Sequence, residues 1–322
     1  MAFSSGLHLC YSHKSFNACE LHMRMKIKNK FENTHEHALF LKSAFTLTGS
    51  VTPKILKQVL GATIYATLIS ILSLFFQWLS ISVSPFEYAG LVMGLILVFR
   101  VNAGYDRWWE ARKIWGELVN NSRNLAITVT NYVQKNKVIE IDQLMRYLAA
   151  MPYLMKNNLR GDDSLVDIKH LIDEKTYMIL KTIDHKPNFL SSKIASLLSE
   201  LLESHALNEF AFLKAETCRE TIIDCQGASE RILKTPMPFV MAVNSRRFIL
   251  LFLLFLPIAL VNYSLYINPL ITALVAYALC SLDQIGVELQ NPFSRKNLSH
   301  LPLDSICNTI EENVMEIYQK HD

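Results

Sequence analysis

Residues Pro85–Gly116 read PFEYAGLVMGLILVFRVNAGYDRWWEARKIWG, and this stretch decides how the chain is organised. From Ala89 to Phe99 nothing is charged, whereas Arg100 to Lys113 carries six charges and two adjacent tryptophans. No proline interrupts it after Pro85. The pattern predicts one helix that begins in lipid and runs out into water, with tryptophans at the crossing. Leu91, Leu95 and Phe99 recur every fourth residue and so lie along one face. Gly90 and Gly94 form a small-xxx-small pair beside it, where a neighbouring helix can approach closely. An apolar stripe next to a glycine seam suits a helix that lines something while packing sideways.

Working outward, the low charge content of the chain (19%) is concentrated in two gaps. Glu87 is the sole charge between Gln58 and Val98, and Phe248 to Leu282 has none. The first gap predicts a span over Ile55–Leu79, a tip at Ser80–Pro85 and a return span through Gly90 to Phe99. The second is long enough for two short spans joined at Asn262–Asn268. Residues 1–57 hold eight Lys/Arg against three Glu, the first tip has neither Lys nor Arg, and Arg246-Arg247 precede the second hairpin. The positive-inside rule then places both termini on the cytoplasmic side.

Between the hairpins the chain reads as a soluble helical domain. Apolar residues recur at helical spacing in Leu144, Met145, Leu148 and Met151, and again in Ile194, Leu197, Leu198, Leu201 and Leu202. Gly161–Ser164 breaks the first segment and Lys186-Pro187-Asn188 opens the second. Ser192 to Leu233 reads as one extended helix with a possible interruption near Gly227. The expected divisions are an N-terminal segment (1–45), a first hairpin (46–99), a cytoplasmic helical domain (100–247), a second hairpin (248–287) and a cytoplasmic tail with a helix (288–322).

Several function classes find no support. There is no glycine-rich nucleotide motif and no Ser/His/Asp or Cys/His constellation, so no catalytic residue is assigned and no enzyme is expected. A net charge of +3 without a basic stripe argues against nucleic acid. The six cysteines show no paired spacing and read as reduced, buried thiols. Five of the ten histidines fall before residue 40, at spacings that match no zinc site, so neither metal nor cofactor is expected. Residues 1–40 also carry the basic run Arg24–Lys30 but lack the apolar core of a signal peptide; Met23 and Met25 are alternative starts. Arg107, Trp108 and Trp109 read as interfacial anchors, with Arg107 paired to an acid. Asn291-Pro292-Phe293 reads as a turn after the fourth span.

Three motifs carry a family likeness. Phe99-Arg-x-Asn-Ala-Gly-Tyr-x-Arg-Trp-Trp-Glu-Ala-Arg-x-x-Trp-Gly116 resembles the bacterial branch of the bestrophin family. So do Gly227-Ala-x-Glu-Arg-Ile-x-x-Thr-Pro-x-Pro-Phe239 and Glu288-x-x-Asn291-Pro-Phe-x(7)-Leu301-Pro-Leu-Asp304. The likeness covers residues from about 45 to 318. It implies an all-α membrane protein, a homopentamer with two hairpins of transmembrane helices and a cytoplasmic helical domain around one pore. Its expected partners are four further copies of the chain, small inorganic ions such as chloride, and the lipid bilayer. The expected location is the inner (plasma) membrane of a bacterium.

Carried over by motif, the resemblance puts a pore neck at Leu91, Leu95 and Phe99 and a cytoplasmic aperture at Met237. One departure stands out. Calcium-gated animal members follow Asn-Pro-Phe with an acidic run, whereas here Ser294–His300 is basic, so calcium gating is not expected. Glu87 is read in two ways, as a solvated interfacial side chain or as a carboxylate at the outer mouth. The second favours cations, so a monovalent-cation channel stands as the alternative to an anion channel. A membrane-anchored scaffold or a carrier is the third reading. The single intramembrane acid and the absence of internal repeats count against a carrier.

Overall fold

The computed structural model describes residue 40 and residues 44–76, 81–261 and 266–320. The histidines and basic run before residue 40 therefore lie outside the described residues. In the short N-terminal unit Leu47–Ser50 makes a turn, closed by the Ser50 N–H donating to the Leu47 carbonyl at 3.3 Å, with Gly49 at φ +82°.

From Val51 onward the described residues form helices and no strand. Helix α1 (Thr52–Leu72) has proline in its first turn, where a missing N–H costs nothing. Helix α2 (Ser84–Tyr132) also begins with proline and continues for 49 residues without a break. At 1.5 Å per residue it is about 74 Å long, more than twice a bilayer's hydrocarbon core of about 30 Å. Four helices follow: α3 (Val138–Arg160), α4 (Glu174–Leu180), α5 (Lys186–Glu203) and α6 (Glu209–Lys234). The chain then adds α7 (Phe239–Ala259), α8 (Ile267–Glu288) and α9 (Leu303–Gln319). Helices α1, α2, α7 and α8 are long and apolar enough to cross a membrane.

Helix α2 belongs to two packing environments. Its first half lies against α7 and α8, its second half against α3, α6 and α9. The second half supplies Trp115, Leu118, Leu125 and Val129 to a dry core shared with Leu144 and Leu148 of α3, Ile194 of α5, Ile222 of α6 and Ile310 of α9. The spans have a much smaller core of Met93, Leu97, Ile249 and Leu279. Along α1, Leu56, Leu60, Ile64 and Leu68 stay exposed at four-residue spacing, as a lipid-facing stripe would. A water-facing helix would hide such a row.

The break after α3 falls where the sequence puts it. Gly161 adopts φ +65° and its N–H bonds the Asn158 carbonyl, a left-handed cap that glycine takes without steric cost. Helix α5 likewise starts at Lys186, with Pro187 in its first turn. The expectation of one helix from Ser192 to Leu233 is not met. The chain turns at Ser204–Asn208, with His205 at φ 53°, and Gly227 sits inside α6. The physical reason is local: Asn208 caps α6 by accepting the Ala211 N–H at 2.8 Å, with Glu209 in the first turn.

The second hairpin also differs in detail. Its connection was expected to reach Asn268, but α8 already begins at Ile267 and Asn268 is fully buried. Its amide donates to Ser70 Oγ at 2.9 Å on α1 and to the Pro257 carbonyl at 2.8 Å on α7. Pro257 lies in the last turn of α7, whose carbonyls a helix leaves without donors. Thr272 Oγ1 donates to Asn268 Oδ1 at 3.3 Å, so one asparagine ties three spans. Replacing it, Asn268→Leu, should lower stability by about 1–2 kcal/mol. Thermal unfolding in mild detergent measures this, and an unchanged melting temperature would remove the tie's importance.

Candidate functional site

The faces of α2 are sorted by what they touch. Met93, Leu97, Arg100 and Gly104 turn into the chain and are buried. Leu91, Leu95 and Phe99 turn away from it, with 76%, 56% and 59% of their surface exposed. The three residues expected at a neck therefore share one face that stays exposed among the described residues, on a helix anchored along its other side. Glu87 is exposed one turn before Leu91, in the first turn of α2.

The two glycines of the expected seam behave differently. A Cβ on Gly90 would meet the Phe252 ring of α7 at 3.5 Å, whereas one on Gly94 would meet nothing within 4 Å. Phe86 stacks edge-on against the same Phe252, with ring centres 5.9 Å apart. The tightest backbone approach lies lower. A Cβ on Gly104 would meet Leu289 Cβ at 3.1 Å and the Gly286 carbonyl at 3.4 Å. Gly104 and Gly286 thus let α2 and α8 cross closely, at the level where the charges begin.

That level holds a set of buried charges that the sequence reading did not find. Arg100 is 2% exposed and pairs with Asp283 of α8. Its side chain runs over Gly286, at 3.4 Å from where a Cβ would stand. Arg246 of α7 reaches the other Asp283 oxygen at 3.2 Å. Beside them Glu288, also 2% exposed, accepts from Lys54 Nζ and Gln284 Nε2 at 2.6 Å each and from the Leu298 N–H at 2.7 Å. Helices α1, α2, α7 and α8 are joined through these two carboxylates. A lone acid near the end of an apolar run, as Asp283 is in sequence, was the available signal.

Met237 sits half-buried in the linker between α6 and α7. Arg107 holds that linker, and the expectation that it pairs with an acid is corrected here. Its guanidinium donates to three carbonyls: Thr235 at 2.6 Å, Gln290 at 3.2 Å, and Ile232. Two of these lie at the C-terminal end of α6, whose carbonyls carry the negative end of the helix dipole and want a cation. Trp108 donates its indole N–H to the Ser299 carbonyl at 2.7 Å, and the rings of Tyr105, Trp108 and Trp109 cluster with their centres 6.2–6.5 Å apart. One turn of α2 therefore fixes both the linker and the loop after α8.

Glu230, just before the linker, accepts from Asn158 at 2.9 Å, His185 at 2.8 Å and Gln226 at 2.7 Å, and from Lys234 at 2.8 Å. Burial works against its charge. Hydrogen bonds from Lys234, Gln226 and His185 outweigh it and bring the carboxyl down to about 2. The turn expected at Asn291-Pro292-Phe293 is present: Asn291 Oδ1 accepts the Phe293 N–H at 3.1 Å, and Phe293 is fully buried. In the basic loop that follows, Arg295 reaches Asp304 at 2.9 Å, which also accepts from Lys156 and Arg160. Burial alone would raise the Asp304 carboxyl, but the bonds from Arg160 and Lys156 hold it well below the usual carboxylate range.

Four apolar helices joined to a helical body, with ion pairs buried at the junction, define an all-helical membrane protein. The sequence pattern described as Bacterial/Fungal Bestrophin protein matches residues 32–316, and the chain belongs to that family. A voltage-dependent anion channel-forming protein of Nostoc sp. is 32% identical over 85% of this chain and 90% of its own. One of Synechocystis sp. is 30% identical over 84% and 89%. The crystal structure of a point mutant of a bacterial bestrophin homologue from Klebsiella pneumoniae superposes with a TM-score of 0.77 at 26% identity, covering 82% of this chain and 98% of that one.

The Arg107 clasp has a measurable consequence. In Arg107→Gln the carbonyls of Ile232, Thr235 and Gln290 lose their shared donor, at a cost of about 2 kcal/mol or more. Amide exchange across residues 232–240 should accelerate relative to α3 and α5. Arg107→Lys should restore little of the protection, because an ammonium cannot span three acceptors as a planar fork does. Equal exchange in all three proteins would show that the linker is held by something else.

Proposed function

We propose that the protein is a homopentameric channel that passes small anions such as chloride through a hydrophobic neck. In this reading Leu91, Leu95 and Phe99 of each copy form the neck and Met237 a second aperture. The body from Arg100 to Arg247 lies in the cytoplasm with both termini, and the membrane is a bacterial plasma membrane. The single observation that carries it is the exposed Leu91–Leu95–Phe99 face on a helix packed into its own chain along the opposite side. One such face cannot enclose a path, so several copies are needed, and closed symmetry is the common solution. The family and the relatives described as anion channel-forming support the class of permeant ion. The number five comes from the family resemblance.

Rings of leucine and phenylalanine control ions by dewetting and need no charge barrier. Leu91→Ala, Leu95→Ala and Phe99→Ala combined should therefore widen the neck and raise ion flux in proteoliposomes, with the native mass of the assembly still that of five copies. Wild-type flux from a correctly assembled triple variant would mean that this face meets lipid. A monomer that keeps its flux would overturn the architecture.

A cation channel is the second reading, and the exposed Glu87 favours it. Four residues before Leu91, its position is rotated by about 40° from the stripe in a straight helix of 3.6 residues per turn. If five carboxylates ring the outer mouth, Glu87→Gln should move the reversal potential under a salt gradient towards anions at low salt. The shift should shrink as salt shortens the screening length to about 8 Å. An identical reversal potential at both salts would leave Glu87 as an interfacial side chain.

A further inference from the structure

A cleft of about 480 Å³ opens between α1, α7 and α8, away from the α2 face discussed above. Its shaft is lined by Ile55, Ala62, Tyr65, Ile249, Leu253 and Leu254, with Gly61 giving it depth. At one end stand Gln58, Arg246, Asp283 and Gln284. From Ile55 to Tyr65 the α1 wall rises about 15 Å, half of a hydrocarbon core of about 30 Å. The cleft is thus one leaflet deep, apolar along its length and polar at the end where the spans meet the charged body.

The charge at the polar end is unbalanced. Arg100 and Arg246 share the single carboxylate Asp283, which leaves one net positive charge. Arg100 is buried, but Arg246 is half exposed and uses only its Nε on Asp283, so its two terminal nitrogens remain open to a ligand among the described residues. A guanidinium with two free donors matches a phosphate. Next to the cleft the α1 stripe of Leu56, Leu60 and Ile64 gives an acyl chain a continuous path from bulk lipid. We infer that this cleft binds one anionic phospholipid, with its phosphate on Arg246 and one acyl chain along Gly61 and Ala62. The inference needs only that the four helices span a membrane, and it stands or falls separately from the permeant ion.

Gly61 supplies a clean test. It lies inside α1 with nothing within 4 Å of where a Cβ would be, so a side chain there starts into open space on the cleft wall and is also a better helix former. The protein would be equilibrated in mild detergent with equal phosphatidylglycerol and phosphatidylcholine, and retained lipid counted by native mass spectrometry. Wild type should keep phosphatidylglycerol over phosphatidylcholine by about fivefold, the ratio equivalent to about 1 kcal/mol for one basic residue at a membrane surface. Arg246→Gln should bring that ratio to about one while lipid still binds. Gly61→Leu should shed both lipids with the oligomeric mass unchanged. Wild-type lipid retention in Gly61→Leu overturns the site, even if Arg246→Gln proves too unstable to measure. A change of oligomeric mass in Gly61→Leu at constant lipid count also overturns it, since the cleft would then hold a second copy of the chain.

Discussion

A guanidinium that is 2% exposed must be matched inside the protein, and the pairing of Arg100 with Asp283 is the constraint on which the arrangement of the spans depends. Ion pairs on a surface contribute about 0–1 kcal/mol, but removing one partner of a buried pair costs about 3–5 kcal/mol because the other charge is stranded. Arg100 can reach Asp283 only if α8 lies close, and Gly104 and Gly286 provide that approach. Glu288, five residues further along α8, is a second buried carboxylate with its own partners, Lys54 of α1 and the Leu298 amide. The cluster works as a register lock: sliding α8 by one turn would leave two carboxylates and one guanidinium buried without partners. Apolar spans lack such a lock, since lipid is as apolar as their own side chains.

The second consequence concerns α2 as a single rod. Eight residues beyond Phe99, about 12 Å along the helix, Arg107 clasps the end of α6 and the residue before the Asn291 turn. The span and the linker holding Met237 are therefore attached to one uninterrupted helix. No loop intervenes along α2 between the stripe and the residues that hold the linker. In the proposed channel, neck and aperture would respond together.

Much of this was legible in the sequence, for a physical reason. Hydrophobic runs, prolines at helix starts and the glycine cap at Gly161 are local signals that gave their elements, although α1 ends at Leu72 where the first span was expected to run to Leu79. The outward face of α2 was also readable, because four-residue spacing identifies a helix face. What that face meets is a property of an assembly. Long-range partners were not readable. Arg107 was assigned an acid because charge suggests charge, yet the groups it meets are carbonyls, which every residue carries and no sequence marks. The break at Ser204–Asn208 was missed since Gly227 was the more familiar breaker, although Asn208-Glu209 is a start signal in its own right. Asn268 was placed in a connection because asparagine favours turns; buried among three helices, it has the opposite role.

The disposition of charge bears on what could pass along α2. Arg100 follows Phe99 immediately and would be the obvious attractor for an anion, but its charge is turned away from the stripe and compensated by Asp283. Lys54 is spent on Glu288 in the same way. Among the described residues the exposed face from Leu91 to Phe99 carries no charged side chain of its own, and the Glu87 carboxyl stands one turn before it. A path built on this face would therefore discriminate among ions by the cost of stripping their water at leucine and phenylalanine, with the field at the mouth acting on local ion concentration. Selectivity of that kind divides into two separable parts. The mouth's part decays with ionic strength because it is a screened surface charge, and the neck's part does not.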